Sequence, residues 1–346
     1  MVIPTTTREY RLPKYDGYHN LTLKEVSLLQ PRANDVLVKI VAVSLQFRDL
    51  MVSKGTYPLG NKENVVPCSD MAGEIIAVGA DVEGFKVGDR VCANFALDHV
   101  YGDVNEKIKW TGLGAPIDGV LTEYRNFPAY SLVHIPSHLS YVEASTLPCA
   151  ALTAYNALNG PTPLKAGDAV LVQGTGGVSV FALQFAKASG ATVIATSSSD
   201  AKLTIAKELG ADHLINYRQT PEWEKEVLRI TEGRGVDHVV EVGGQGTLMK
   251  SLDCVRYAGW VHMIGFLAGS TDTSDAPLVA LGKAAMIRGI LIGSRDQFES
   301  MNRLIIANKL KPIVDKVFSF EEAKEAYAYL DSQKHVGKVV IKVSKD

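Results

Sequence analysis

The chain is poor in cysteine and has no metal-ligand spacing. Cys68, Cys92, Cys149 and Cys254 are scattered and form no CxxC pair, which excludes a disulfide framework and a zinc ribbon. They read as reduced thiols of a cytosolic protein. The eight histidines form neither HxxxH nor HxH. No run of 18 apolar residues is present, which excludes a membrane-spanning helix. Met1–Tyr10 lack the apolar core of a signal peptide, and the last three residues, Ser-Lys-Asp, are not the peroxisomal address, so a cytoplasmic location is expected. Basic blocks are missing too, and the formal net charge is −2, which argues against nucleic acid or a membrane as partner and leaves a small molecule. Composition is that of a globular protein, and 346 residues exceed one ordinary core, so two domains are expected.

What is present centres on Asp168–Asp200, DAVLVQGTGGVSVFALQFAKASGATVIATSSSD. A buried strand over 169–172 runs into a glycine turn (Gly174, Thr175, Gly176, Gly177, Val178). A helix over 178–189 and a second strand over 192–196 follow. Glycines at a strand-to-helix turn let backbone N–H groups approach a pyrophosphate at the helix N-terminus. The third position of G-x-G-x-x-G is Ser179, small enough for close helix–strand packing. An NAD site carries Asp or Glu at the end of the second strand. Here stand Thr196, Ser197, Ser198 and Ser199, with Asp200 expected to cap the next helix (201–209) and Lys202 in its first turn. Hydroxyls and an ammonium suit a 2′-phosphate, so NADP(H) is the expected cofactor. The bland alternative is a polar strand-to-helix connection.

The first third alternates like a β-rich region: 35–43 is a clear strand, with shorter ones over 73–79 and 88–93. Residues 98–119 read as loop, and 142–158 as a helix pair broken at Pro148. Strand patterns at 213–215, 237–242 and 260–266 then alternate with helices, which implies a doubly wound parallel sheet with 287–292 at one edge. In such sheets ligands sit at the carboxyl ends of strands, which adds Val242, Gly243, Ile264, Gly265 and Phe266 to the cofactor candidates. Helices over 297–308 and 321–332 and a strand over 338–343 close the chain.

This order of parts resembles the medium-chain dehydrogenase/reductase superfamily over nearly the whole chain. Ser44-Leu45-Gln46-Phe47-Arg48-Asp49, Gly55-Thr56-Tyr57-Pro58, Ser69-Asp70-Met71-Ala72-Gly73-Glu74 and Leu152-Thr153-Ala154-Tyr155 resemble its zinc-independent, quinone-oxidoreductase-like branch. The resemblance implies an α/β fold: a Rossmann NADP-binding domain over 136–295 and a β-rich GroES-like catalytic domain over 1–135 and 296–346. Zinc-dependent members carry Cys where this chain has Gln46 and His-Glu where it has Ser69-Asp70. They also carry a four-cysteine loop missing here, so no metal is expected. Cys149, near a remaining ligand position, reads as a buried thiol. The resemblance places Gln46, Tyr57 and Thr153 in the nicotinamide pocket, Thr153 also touching the cofactor. Tyr57 can equally be a turn aromatic. Tyr217 flanks the adenosine phosphate in relatives. Ser294 and Arg295 belong to a segment that returns toward the cofactor, with Arg295 on a phosphate, at a helix cap or solvated. Lys338 approaches the cofactor, and Arg48 and Asp49 read as a structural pair. The expected activity is NADPH-dependent, zinc-independent hydride transfer to an activated C=C bond of a quinone, enone or enoyl substrate. The alternatives are a zinc-free carbonyl reductase or alcohol dehydrogenase, or a non-catalytic NADPH-binding protein. A homodimer through the 286–293 edge is expected.

Overall fold

The computed structural model describes residues 3–58, 60–269 and 271–344. Two compact units divide the chain, Met1–Leu152 with Ile292–Asp346, and Thr153–Leu291.

The second unit is built on six parallel strands: Ala169–Gln173, Thr192–Ser197, His213–Asn216, Val236–Glu241, Val255–Met263 and Met286–Gly289. Numbered along the chain, their spatial order is 3-2-1-4-5-6. Parallel neighbours need long crossovers, and the helices Gly177–Ala188, Asp200–Glu208, Trp223–Ile230 and Leu248–Cys254 supply them. Ala169–Gln173 and Val236–Glu241 are buried at every position, as central strands covered on both faces must be. The order reverses between these two strands, so their carboxyl ends, Gln173 and Glu241, flank the switch point where such sheets bind ligands.

The first unit carries a seven-stranded sheet around Asp35–Ser44. That strand pairs antiparallel with Asp70–Val78, Tyr124–Pro128 and Lys338–Lys342. Its alternation is legible in the cores: Val36, Val38 and Ile40 enter the main cluster, while Leu37 faces a second one with Ile76 and Ala77. Ser44 pairs with Asp70 on one side and Val340 on the other. One end of three neighbouring strands therefore brings together Leu45 and Gln46, Ser69 and Asp70, and Lys338.

Several elements differ from the sequence expectation. The 142–158 region is the expected pair of helices interrupted around Pro148, but the interruption is itself helical. Pro148 sits at the start of a π-turn, Leu147–Ala151, that joins Tyr141–Ala144 to Leu152–Leu158 and needs no amide from its first residues. The fifth strand of the parallel sheet starts at Val255, five residues earlier than its apolar pattern, because left-handed Ala258 (φ 55°) carries the strand through an irregularity opposite Val236–His238. It ends at Met263, where Ile264 and Gly265 turn to donate to the Glu241 carbonyl. Within 98–119 a short helix, Glu106–Lys109, forms under the Asn105 side chain, which accepts from the Ile108 amide at 3.0 Å. An N-terminal hairpin, Thr6–Arg11 with Thr22–Ser27, was not anticipated.

Candidate active site

In the second unit the glycine turn is shaped as a cradle. Gly174 holds a φ of 72°, and its amide donates to the Thr196 carbonyl at 2.8 Å. A Cβ placed on Gly174 or Gly176 meets nothing within 4 Å, so the space over the turn is open rather than packed. The 12-residue helix Gly177–Ala188 starts at this turn and directs its first-turn amides there. Ser179, in the place of the third glycine, is buried and donates its hydroxyl to the Gln173 carbonyl at 2.6 Å, fastening the helix to the strand.

At the next strand end, Glu241 is fully buried and organises the loop that follows it. Oε1 accepts from the Gly243 and Gly244 amides at 2.8 and 2.9 Å and from the Thr247 hydroxyl. Oε2 accepts from Gln173 Nε2 at 2.8 Å and from the Ser251 hydroxyl. The other end of the Gln173 amide accepts from the Val242 amide at 3.2 Å. The glycine turn and the Val242–Gly244 loop are thus one hydrogen-bonded assembly. Gly265 closes it: an added Cβ would lie 2.4 Å from the Val242 carbonyl oxygen. Val242, Gly243, Ile264 and Gly265 therefore come together, with Phe266 exposed beside them. Gln173, Glu241, Thr247 and Ser251 were missed in the sequence. Their only signal is a polar residue closing an apolar strand.

Ser197 is buried at the end of its strand, and its carbonyl accepts from the Tyr217 amide at 3.1 Å, which brings half-exposed Tyr217 beside Ser198 and the helix bearing Lys202. Asp200 does not cap that helix. Ser199 occupies the cap position, and the Asp200 carboxylate accepts from Asn216 Nδ2 at 2.6 Å and Gln219 Nε2 at 2.9 Å. A carboxylate with two amide donors already facing it is a better anchor for the 216–219 turn than a helix cap. Thr153 is buried, and its hydroxyl has no hydrogen-bond partner, as a group awaiting a ligand would be.

In the first unit Gln46 precedes the helix Phe47–Ser53, and its amide donates to Asp49 Oδ2 at 2.7 Å. Its side-chain Nε2 donates to Asp70 Oδ2. Asp70 also accepts from the Ser69 hydroxyl at 2.6 Å and the Cys149 amide at 3.1 Å. Burial pushes the Asp70 carboxyl up, against the pull of the Lys338 ammonium. Lys338 is itself pushed down by burial, and its Nζ donates to the Leu45 carbonyl. Tyr57 is not a loose surface aromatic: its ring covers the Arg48 guanidinium, which lies 4.7 Å from its centroid. Ser294 and Arg295 fall in this first unit. Ser294 caps the helix Arg295–Ala307, and Arg295 donates to the Leu132 carbonyl at 2.8 Å and pairs with Glu299.

Comparison with known proteins now decides the family. Residues 32–137 match the alcohol dehydrogenase GroES-like domain, and residues 177–307 match the zinc-binding dehydrogenase family. A zinc-type alcohol dehydrogenase-like protein of Schizosaccharomyces pombe is 47% identical over 333 residues, covering 94% of this chain and 96% of the relative. The chain belongs to the medium-chain dehydrogenase/reductase superfamily. Other members span it equally well. An NAD-dependent alcohol dehydrogenase of Sulfurisphaera tokodaii is 32% identical, covering 93% of this chain and 96% of the relative. A crystal structure from Sinorhizobium meliloti, assigned as an alcohol dehydrogenase, superposes with a TM-score of 0.91 at 39% identity, covering 99% of this chain and all of that one. A 2-octenoyl-CoA carboxylase reductase in complex with NADP and 2-octenoyl-CoA gives 0.86 at 25% identity, over 99% of this chain and 88% of that one. As a member, the protein is an oxidoreductase with a Rossmann sheet and a GroES-like β-rich unit, and the superfamily works with pyridine nucleotides.

The superfamily includes zinc enzymes, and the donor set here does not fit a zinc ion. Among the described residues no three His, Cys, Asp or Glu side chains group to hold a metal. Around Asp70 the neighbours are a neutral amide, a hydroxyl, a thiol that burial holds protonated, and an ammonium that would repel a cation. The open cradle at Gly174 and Gly176 and the unpartnered Thr153 hydroxyl do fit a dinucleotide.

Proposed function

We propose that this protein is an NADPH-dependent, zinc-independent reductase of activated C=C bonds in quinones, enones or enoyl substrates. The observation that carries the reading is the environment of Asp70, where a buried ammonium and a Gln amide stand in place of metal ligands. Without a Lewis acid on the carbonyl, hydride delivery to the conjugated carbon is the easier route, because the charge spreads into an enolate that protein donors can hold. Bound NADPH supplies the hydride. Gly174–Val178 hold its pyrophosphate, Ser197, Ser198 and Lys202 its 2′-phosphate, and Tyr217 flanks the adenosine. Val242, Gly243, Ile264, Gly265 and Phe266 line the nucleotide at the strand ends, and Thr153 takes a polar atom of its reacting end. Gln46 and Tyr57 orient the substrate. Gln46 keeps one amide hydrogen for this, since the other is directed at Asp70. Ser294 and Arg295 act through the helix they start and through Leu132, holding the wall of the substrate unit.

The unit Thr153–Leu291 serves as the nucleotide domain, narrower than the 136–295 expected from the sequence, and Met1–Leu152 with Ile292–Asp346 as the substrate domain. Two chains pair through the sheet edge Met286–Gly289. Ile287 is 42% exposed on that strand, and Leu278 and Leu281 of the preceding helix Ala276–Lys283 are 68 and 77% exposed. Sedimentation as a monomer at micromolar concentration would reject the pairing. The four free, buried cysteines agree with a reducing cytoplasm.

The test is oxidation of NADPH and of NADH with 2-cyclohexenone and a benzoquinone, before and after a strong chelator. Chelator-insensitive, NADPH-selective formation of cyclohexanone supports the reading. Cyclohexenol as product moves it to the carbonyl reductase. Lys202→Ala should reduce the NADPH-over-NADH preference about tenfold, as expected for one phosphate contact.

A further inference from the structure

Arg48 is the most unusual polar side chain of the first unit. Its side chain is only 10% exposed, and among the described residues none of its three nitrogens has a hydrogen-bond partner. The nearest carboxylate oxygen, Asp49 Oδ1, lies 4.0 Å away, beyond hydrogen-bond reach, and also has no hydrogen-bond donor. Two aromatic rings pack against the guanidinium: those of Tyr57 and Phe95 each lie 4.7 Å from its central carbon. The donors lie along the edge of the fork, and all three nitrogens there are buried and lack a hydrogen bond among the described residues.

A buried guanidinium with five N–H groups and no acceptor is costly unless something fills the gap. Aromatic rings this close attract the cation and help to keep water away, but they accept none of its N–H···O hydrogen bonds. The missing partner is a planar oxygen acceptor arriving in the plane of the fork. Arg48 lies two residues after Gln46, against Tyr57, in the surroundings assigned to the substrate. Lys338, the neighbouring buried cation, already donates to Leu45.

We infer that Arg48 receives the carbonyl oxygen of an α,β-unsaturated ketone or thioester at the edge of its guanidinium and holds that oxygen as the enolate forms. This rests on the conjugate-reduction reading above. In the step, the hydride adds to the β-carbon, the C=C electron pair moves to the bond between the α-carbon and the carbonyl carbon, and the C=O pair moves onto oxygen. A proton from solvent then adds to the α-carbon and restores the carbonyl, leaving the oxidised nucleotide. The guanidinium contributes most after the charge reaches oxygen, so it lowers the barrier more than it strengthens substrate binding.

Two measurements test this on the full-length protein with Arg48→Met and Arg48→Lys. In the first, kcat and KM for 2-cyclohexenone are compared at saturating NADPH, with the thermal midpoint and the NADPH dissociation constant as controls. Arg48→Met should lose about 10²–10³-fold in kcat, the usual effect of removing an oxyanion donor, with both controls close to wild type and with Arg48→Lys recovering part of the loss. An unchanged kcat in Arg48→Met overturns the proposal while leaving the reductase standing. The second measurement needs no turnover. Titration of p-nitrophenol, a planar delocalised oxyanion when ionised, is followed by absorbance. Wild type should bind the phenolate and lower its apparent pKa by about one unit, a tenfold preference for the anion, and Arg48→Met should not. If wild type reduces no enone yet shows this shift, the function reading fails and the anion site survives. Equal titration curves in wild type and Arg48→Met overturn the site.

Discussion

Glu241 and Arg48 are both buried charges, and the fold treats them in opposite ways. Glu241 receives two backbone amides, two hydroxyls and one side-chain amide. Arg48 has five donors and no acceptor, and the carboxylate beside it keeps one oxygen unpaired. Around Glu241 the polar groups complete one another before any ligand arrives. Around Arg48 the donors stay open, at the place proposed above for the substrate. A satisfied network fixes geometry, whereas an unsatisfied one stores interaction free energy for whatever binds.

The largest expected effect comes from breaking the finished side. Glu241→Gln keeps the size but turns an amide NH₂ toward groups that are themselves donors. Two or more buried donors then lose their acceptor, and a stability loss of about 3 kcal/mol is expected. Urea unfolding should show it, together with at least a tenfold rise in the NADPH dissociation constant. Wild-type stability in Glu241→Gln would mean that the loop after the strand holds without the carboxylate, and the contrast drawn here would fail.

The second effect is a pH dependence on the open side. Burial raises the Asp49 carboxyl from 3.8 to about 6, against the opposing pull of Arg48 and Lys338, while Asp70 pushes the same way as burial. The folded state therefore holds a proton between pH 4 and 6 that the unfolded chain has released. The stability this proton contributes is complete below pH 4 and is lost as pH rises through 6. Asp49→Asn removes the titration, so its unfolding free energy should fall less between pH 4 and 7 than that of wild type, by about 1–3 kcal/mol. The same pH slope in both proteins would show that Asp49 is ionised throughout.

The third effect tests the join between strand and helix. Ser179→Ala deletes the bond to the Gln173 carbonyl, at an expected cost of about 1 kcal/mol. Ser179→Gly restores the glycine pattern but not the bond, so it should be no more stable than Ser179→Ala. Greater stability in the glycine variant would mean that backbone closeness, not the hydroxyl, governs this turn.

These residues also mark what was readable in the chain. The strand–turn–helix–strand around Gly174 was legible because a period of two, a glycine turn and a helical period follow one another within 30 residues. The pairing of Gln173 with Glu241 spans 68 residues and depends on the strand order, which no local pattern encodes. Gln46 and Tyr57 became candidates through motif resemblance alone. Arg48 and Asp49 were read as a structural pair, and they do form an ion pair at 4.0 Å; what sequence cannot show is that the guanidinium is left without a hydrogen bond among the described residues. Asp200 was misread because its amide partners, Asn216 and Gln219, come from the next strand and turn.

The smallest effect on stability should come from Thr153, an open hydroxyl in the same unit as Glu241. Its hydroxyl is buried without a partner, so the folded protein gains nothing from it in the absence of ligand. Thr153→Val removes an unsatisfied polar atom at nearly constant volume. The unfolding free energy should stay level or rise by up to ~1 kcal/mol, the desolvation cost of a lone hydroxyl. Nucleotide affinity should move the other way, with the NADPH dissociation constant rising about five- to tenfold as one ligand hydrogen bond is lost. Opposite signs in the two measurements would place Thr153 with Arg48, among the groups kept open for a ligand. A fall in both would place it with Glu241, as part of the scaffold.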